Sequence, residues 1–107
     1  MNIRVEVRPE ADNQIDAIDH WWIEHRRSSP DLFLTEFDDA KKELQLAPEI
    51  GKSYRRRGIP GLRRLLMLRT QCHIHYTYDE SAGVVSILSV WSALRRRGPP
   101  VRSLPAR

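Results

Sequence analysis

The chain has 107 residues and a mass of 12.5 kDa, a length that fits a single domain. Hydrophobic residues make up 40% of it and charged residues 30%, a balance that excludes intrinsic disorder. No apolar run approaches the roughly 20 residues that span a bilayer, and the single cysteine, Cys72, excludes an internal disulfide and a cysteine-built zinc site. We therefore expect a cytoplasmic protein that does not enter a membrane.

The first half of the chain predicts one strand followed by two helices. Residues 3–7 alternate apolar and charged side chains, as a strand with one buried face does. A helix is predicted to begin at Pro9, and a second one within residues 28–31, where a serine N-cap precedes a proline. Each helix carries an apolar stripe at steps of three and four, namely Ala11, Ile15, Ile18 and Trp22, then Phe33, Phe37, Ala40 and Leu44. Their short connection predicts an antiparallel hairpin that ends at Pro48 and Gly51.

Beyond Gly51 the hydrophobic period changes from helical to extended. Residues 62–69 and 73–78 have the pattern of strands, and residues 79–83 have the composition of a hairpin turn. Residues 84–91 form a third apolar segment with hydrophobic side chains on both phases, which predicts a strand covered on both faces. The second half of the chain therefore predicts a three-stranded antiparallel meander.

These elements together predict an α+β fold. It has an N-terminal strand, an antiparallel helical hairpin and then the three-stranded meander, which gives a four-stranded sheet with the helices on one face. We expect residues 1–95 to form a single domain. Residues 96–107 are basic and proline-rich, a composition that predicts a mobile tail.

Charge is divided unequally between the two halves of the chain, although the total is only +4. Residues 1–50 carry six arginines and lysines against twelve acids, whereas residues 51–107 carry twelve against two, a net charge of +10. A strongly basic half indicates either an anionic partner or a solvated surface that serves solubility.

The basic half is rich in arginine, whose planar fork binds carboxylates and phosphates bidentately. Three groups surround the predicted meander, and depending on register they converge on one edge of the sheet: Arg55, Arg56 and Arg57 before it, Arg63, Arg64 and Arg69 on its first strand, and Arg95, Arg96 and Arg97 after its last. Tyr54 and Trp91 would add stacking surfaces for bases, unless Trp91 is a core aromatic at the end of its strand.

The histidines and the cysteine do not form a recognisable catalytic or metal-binding motif. His20 and His25 are five residues apart and so do not share a helix face, and His73 and His75 share a strand face without a third ligand. Cys72 fits a buried structural thiol better than a nucleophile. We expect no metal and no cofactor.

Several short motifs follow one another in a characteristic order along residues 3–100. They comprise the two helical stripes and then Pro48-x-x-Gly51, Pro60-Gly61-Leu62-Arg63-Arg64, His75-Tyr76-x-Tyr78-Asp79 and Val84-Val85-x-Ile87-Leu88-x-Val90-Trp91. In this order the chain resembles toxins of the RelE/ParE superfamily, the small toxic components of bacterial type II toxin–antitoxin modules, also called plasmid-stabilisation proteins. The resemblance implies the fold described above and a small acidic antitoxin as partner.

Two activities exist within that superfamily. RelE-type toxins are ribosome-dependent endoribonucleases that place basic residues, and often a C-terminal Tyr or His, near the scissile phosphate; ParE-type toxins lack that set and poison DNA gyrase. After Trp91 this chain has no Tyr, His, Lys or Glu, and arginine does not shuttle protons near pH 7. The resemblance therefore favours a gyrase inhibitor that is not an enzyme. The alternatives are an endoribonuclease acting on ribosome-bound RNA and a degenerate, non-toxic binding module.

The site residues follow from that choice. A gyrase inhibitor has no catalytic residue, whereas a ribonuclease would use Arg63, Arg64, Arg95 and His75. For partner binding we expect a surface made of Arg55, Arg56, Arg57, Arg64, Trp91, Arg95, Arg96 and Arg97. Arg63 and Arg64 are neighbours on one strand, so their side chains are predicted to leave opposite faces of the sheet. We expect one of them to pair with an acid of the helices and the other to join the partner surface.

Overall fold

The computed structural model describes residues 2–94, which form one sheet with two helices packed on one of its faces. The elements in chain order are β1 (Arg4–Val7), α1 (Pro9–His25), α2 (Leu32–Leu46), β2 (Lys52–Ser53), β3 (Arg63–Met67), β4 (Cys72–Asp79) and β5 (Val84–Ser92). The strand order is β1-β5-β4-β3-β2, in which β1 runs parallel to β5 and every other pair is antiparallel. The predicted tail, residues 96–107, lies outside the described residues.

The predicted α+β architecture is confirmed, with one correction to the sheet. Residues 2–94 contain five strands where four were expected, because Lys52 and Ser53 pair with Arg64 and Arg63 at the edge of the sheet. Two residues are too few to show a period-two pattern, so β2 leaves no signal in the sequence.

The start of the second helix is also corrected. α2 begins at Leu32, after an N-cap residue, Asp31, whose side chain makes no capping hydrogen bond. The preceding residues form turns, in which the Ser29 N–H donates to the carbonyl of Arg26 over 2.9 Å and the Leu32 N–H donates to the carbonyl of Ser29 over 3.3 Å. The serines and the proline therefore serve the connection between the helices rather than the helix cap. α1 begins at Pro9 as predicted.

The main core lies between the helices and the sheet. All four predicted stripe residues of α2 are buried, as are Ala11 and Ile15 of α1, while Ile18 and Trp22 pack against them partly exposed. From the sheet the core receives Met67, Cys72, Ile74, Tyr76, Val85, Ile87 and Val90. Neither helix of the described part is long and apolar enough to cross a membrane.

A second, smaller core covers part of the other face of the sheet. Ile59 and Leu62, from the segment between β2 and β3, pack with Leu88 of β5, and Tyr54 packs partly buried against them. β5 has neighbours on both sides and is covered on both faces, as its apolar pattern predicts. The segment of residues 54–62, here called the arginine loop, is thereby held against the face opposite the helices.

Candidate partner-binding site

The register of the sheet determines which arginine faces which way. Arg63 lies opposite Tyr76, a residue of the main core, whereas Arg64 lies opposite His75. Because cross-strand partners share a face and adjacent residues alternate, Arg64 and His75 lie on the face away from the helices. The prediction that the two arginines leave opposite faces is confirmed.

Arg63 faces the helices, but it makes no ion pair with an acid of the described residues. Its guanidinium Nη1 donates to two backbone carbonyls that follow α2, that of Glu49 over 3.1 Å and that of Gly51 over 2.8 Å. The expected partner is therefore corrected from a carboxylate to main-chain oxygens. These contacts lie on the face of the sheet opposite Arg64 and His75.

On the face away from the helices, aromatic and basic side chains form a contiguous group. The rings of Tyr54 and His75 meet edge to face with centroids 5.1 Å apart, and His73 lies 5.9 Å from His75. The Cζ atom of Arg64 lies 4.7 Å from the centroid of the Tyr54 ring, a cation–π distance. Arg56 Nη1 donates to the Tyr54 hydroxyl over 3.4 Å. We call these five residues the His75 cluster.

His75 is the buried centre of this cluster. It is 1% exposed, and neither ring nitrogen has a hydrogen-bond partner among the described residues. Burial lowers the pKa of His75 to about 4, helped by the charges of His73, Arg64 and Arg56. Burial and then Arg64 also lower the pKa of His73. Both imidazoles are therefore neutral at pH 7. A buried polar group without a partner costs about 1–3 kcal/mol, so this arrangement is unusual for a residue that serves the fold alone.

The arginine loop forms the wall of a shallow groove beside the cluster. The groove has a volume of about 490 Å³ and is lined by residues 53–57 and 59–62. Arg55 and Arg57 are exposed there, Arg56 is half-buried, and Trp91 is half-buried on β5 opposite His73. The structure thus brings together Arg56, Arg64, His75 and Trp91 of the predicted residues, with Arg55 and Arg57 next to them.

The third group of predicted residues, Arg95, Arg96 and Arg97, lies outside the described residues. The described chain ends at Leu94, which lines a cavity of about 550 Å³ together with Arg26 and Arg69. β5 and β3 run in the same direction on either side of β4, so the end of β5 lies at the end of β3 that leads to Arg69. The arginine loop is at the opposite end of β3, so Arg69 does not join it.

One feature of the site could not be anticipated from the sequence. The alternation of residues 73–78 puts Ile74, Tyr76 and Tyr78 on one face of the strand and His75 on the other. Tyr54 of the arginine loop covers His75, and a loop without periodicity gives no sign of what it covers.

Comparison with known proteins identifies the family to which the chain belongs. The model of the ParE toxin of the type II toxin–antitoxin system, parDE, matches residues 5–97. The chain belongs to this family. It is accordingly a type II toxin–antitoxin toxin of the RelE/ParE superfamily, as its motifs indicated. No curated protein matches the chain in sequence.

Solved structures show the same fold at low sequence identity. A chain of the chromosomal ParDE system from P. aeruginosa is 18% identical, with a TM-score of 0.64 over 84% of this chain and 95% of that one. A chain of the RelBE2 toxin–antitoxin complex from Mycobacterium tuberculosis is 19% identical, with a TM-score of 0.61 over 86% and 99%. A chain of the intact E. coli RelBE complex is 16% identical, with a TM-score of 0.61 over 87% and 99%. Both ParE and RelE systems are thus represented among the similar structures.

Proposed function

We propose that this toxin arrests growth by inhibiting DNA gyrase and that a small acidic antitoxin neutralises it. The match to the ParE family over residues 5–97 supports the first part, since ParE-type toxins act on gyrase. The structures of the ParDE system and the RelBE complexes support an antitoxin partner. The net charge of +10 on residues 51–107 suits an acidic protein.

The chemistry of the His75 cluster carries the choice against a ribonuclease. RNA cleavage requires one group to accept a proton from the attacking hydroxyl and another to protonate the leaving oxygen. Arginine stays charged and so cannot transfer protons near pH 7. The groups beside Arg64 that could do so are the imidazoles of His73 and His75. His75 is buried, and a pKa of about 4 makes its imidazole a weak base and leaves almost no imidazolium at pH 7. His73 is half-buried, and burial and then Arg64 lower its pKa. At pH 7 the positive charge of the cluster therefore lies on its arginines, and little imidazolium is available as an acid.

Induction of the toxin in cells without its antitoxin tests this function. We expect filamentous cells, an SOS response and intact messenger RNA. The purified toxin should also block supercoiling of relaxed plasmid by purified gyrase, and addition of the protein encoded by the adjoining reading frame should restore supercoiling.

Other results would contradict the proposed function. Cleavage of messages at codon spacing, read by primer extension, would assign the toxin to the ribonuclease class. Binding of the adjoining gene's product without growth arrest, RNA cleavage or gyrase inhibition would identify a non-toxic binding module. Failure of that product to bind would contradict the antitoxin part.

A further inference from the structure

The two ring nitrogens of His75 are hydrogen-bonding groups held in the interior without partners among the described residues. Within residues 2–94 no carboxylate acts on this side chain, and the charged groups that do act on it are His73, Arg64 and Arg56, all cations when charged. An anion that reached this position would receive a hydrogen bond from the imidazole and a charge-assisted pair of bonds from the Arg64 guanidinium. We propose that His75 and Arg64, beneath the Tyr54 ring, form a subsite for one side-chain carboxylate of an acidic protein partner.

This inference rests on the proposed function in one respect, since it takes the antitoxin as the acidic protein. The cluster itself favours a carboxylate over the phosphates of RNA. Recognition of single-stranded RNA uses the open faces of aromatic rings for base stacking. Here the Arg64 guanidinium lies against the Tyr54 ring, and His75 packs between Tyr54 and His73. With those surfaces occupied, the cluster offers a place for one anion rather than a track for a nucleotide chain.

Entry of a carboxylate requires only a local rearrangement. His75 is covered by Tyr54, whose own position is set by the backbone hydrogen bond from its N–H to the carbonyl of Leu62 over 2.9 Å and by the cation–π contact with Arg64. A carboxylate would draw the Arg64 guanidinium off the Tyr54 ring and onto itself. We expect the Tyr54 ring to move as well, while the backbone of the arginine loop stays anchored by Ile59 and Leu62, which pack against Leu88.

Occupation of the subsite would couple binding to proton uptake. The groups that act on His75 are Arg64 of β3, His73 of its own strand and Arg56 of the arginine loop. The β5 residue opposite it in the sheet, Ser89, donates its hydroxyl to Oε1 of Gln14 in α1 over 2.9 Å. Each of those three groups lowers the pKa of His75. A bound carboxylate acts in the opposite direction because it stabilises the imidazolium. The complex therefore takes up a proton at mildly acidic pH, and its affinity falls as pH rises through the pKa that His75 has in the complex.

Acetate is a probe for this subsite that does not depend on the antitoxin. The ring resonances of His75 would be followed by NMR against pH in sodium acetate and in sodium chloride at equal ionic strength. We expect acetate to raise the pKa of His75 from about 4 by about one unit, a tenfold change in the ratio of its two forms. Arg64→Gln should abolish the difference, and Arg27→Gln, which removes an exposed arginine from the turn between the helices, should preserve it.

Either of two results overturns the subsite. Identical titrations in acetate and chloride would show that no carboxylate reaches His75. A larger shift with a short oligouridylate than with acetate, at equal concentration of anionic groups, would assign the cluster to nucleic acid.

The antitoxin provides a second measurement whose failure is separate. Calorimetry of the complex in buffers of different ionisation enthalpy should show proton uptake that is largest between about pH 4 and 5 and is lost in His75→Phe. Arg64→Gln should weaken binding about tenfold or more, and Arg27→Gln less than about twofold. Tight binding without proton uptake, unchanged in both site variants, would refute the subsite and leave the antitoxin in place. Absence of binding would refute the antitoxin, while the acetate titration still decides the subsite.

Discussion

The backbone N–H of Gly51 donates a hydrogen bond of 2.9 Å to the hydroxyl oxygen of Tyr76, in the interior between the end of α2 and the sheet. The carbonyl of the same glycine accepts from Arg63, which lies directly opposite Tyr76 in the sheet. One glycine is therefore held on both sides by a cross-strand pair. These bonds fix the segment that leads from α2 into β2 and the arginine loop.

The first prediction concerns the space at Gly51. A Cβ atom there would lie 2.7 Å from the Tyr76 hydroxyl and 2.8 Å from the backbone carbonyl oxygen of Arg64, and the backbone oxygen cannot move aside as a flexible side chain can. We expect Gly51→Ala to lower the free energy of unfolding by about 1–3 kcal/mol, the usual cost of overpacking. Urea denaturation measures it. Glu49→Ala is the control, because it alters an exposed side chain two residues away and keeps the carbonyl that Arg63 uses. Equal stability of Gly51→Ala and Glu49→Ala would contradict this packing.

The second prediction separates Arg63 from Arg64. Arg63→Ala removes two charge-assisted hydrogen bonds to main-chain carbonyls and should cost about 1.5–3 kcal/mol of stability. Arg64→Ala removes a cation–π contact with Tyr54 and should cost no more than about 1 kcal/mol. We expect the Arg64 variant to lose antitoxin affinity at nearly native stability, and the Arg63 variant to lose mainly stability. Thermal melts of both variants measure stability, and binding titrations measure their affinity for the antitoxin. Equal losses of stability in the two would refute the face assignment.

The cost expected for Arg63→Ala shows where reasoning from the sequence reaches its limit. Alternation along the strand establishes that the two arginines face opposite ways, but it cannot supply the partner. If Arg63 were paired with a buried acid, Arg63→Ala would leave that carboxylate without a counter-charge and would lower the stability by about 3–5 kcal/mol. Loss of a hydrogen bond to a neutral carbonyl lowers the stability by less. The partner carbonyls of Glu49 and Gly51 belong to a segment without periodicity. Their contact with Arg63 depends on tertiary packing and leaves no local signal in the sequence.

The fold itself was more accessible to prediction. The stripe of Phe33, Phe37, Ala40 and Leu44 is buried throughout, and the two-phase apolar pattern of residues 84–91 corresponds to a strand with cover on both faces. Such patterns reflect burial directly, which is why they are informative. β2 and the burial of His75 depend instead on where the arginine loop settles.

The third prediction concerns Glu36, whose carboxylate joins α2 to the turn between β3 and β4. Its two oxygens accept hydrogen bonds from the backbone N–H of Arg69 over 2.7 Å and from the N–H and the hydroxyl of Thr70 over 2.9 and 2.6 Å. Glu36→Ala leaves these donors without their acceptor, and we expect a loss of about 1–3 kcal/mol. Glu36→Gln keeps one oxygen acceptor and should lose less.

Asp39→Ala is the matched control for Glu36, since Asp39 is an exposed acid one turn further along the same helix. Amide hydrogen exchange at Arg69 and Thr70 gives a local readout besides the overall stability. Faster exchange at these two amides in Glu36→Ala, and native rates in Asp39→Ala, are the expected result. Native rates in both variants would show that the carboxylate does not hold the turn.

The last prediction is the effect of His75 on stability against pH. Burial lowers the pKa of His75 from 6.5 to about 4 in the folded protein, so the unfolded chain binds the proton more readily than the folded one. Stability is therefore independent of this group above pH 6.5 and declines as pH falls from 6.5 to 4. The slope is at most about 1.4 kcal/mol per pH unit, and the whole loss is about 3 kcal/mol.

Carboxylates titrate in the same range, so the difference between the native chain and His75→Phe isolates the histidine. The variant should lose stability less steeply between pH 6.5 and 4.5 in urea titrations. Ile74→Val, which shortens a neighbouring core side chain at a cost of about 0.5–1.5 kcal/mol, should lower the curve without changing its slope. Parallel curves for the native chain and His75→Phe would mean that the imidazole takes its proton as easily when folded as when unfolded, which is incompatible with a ring whose nitrogens are buried beneath Tyr54 and flanked by two arginines.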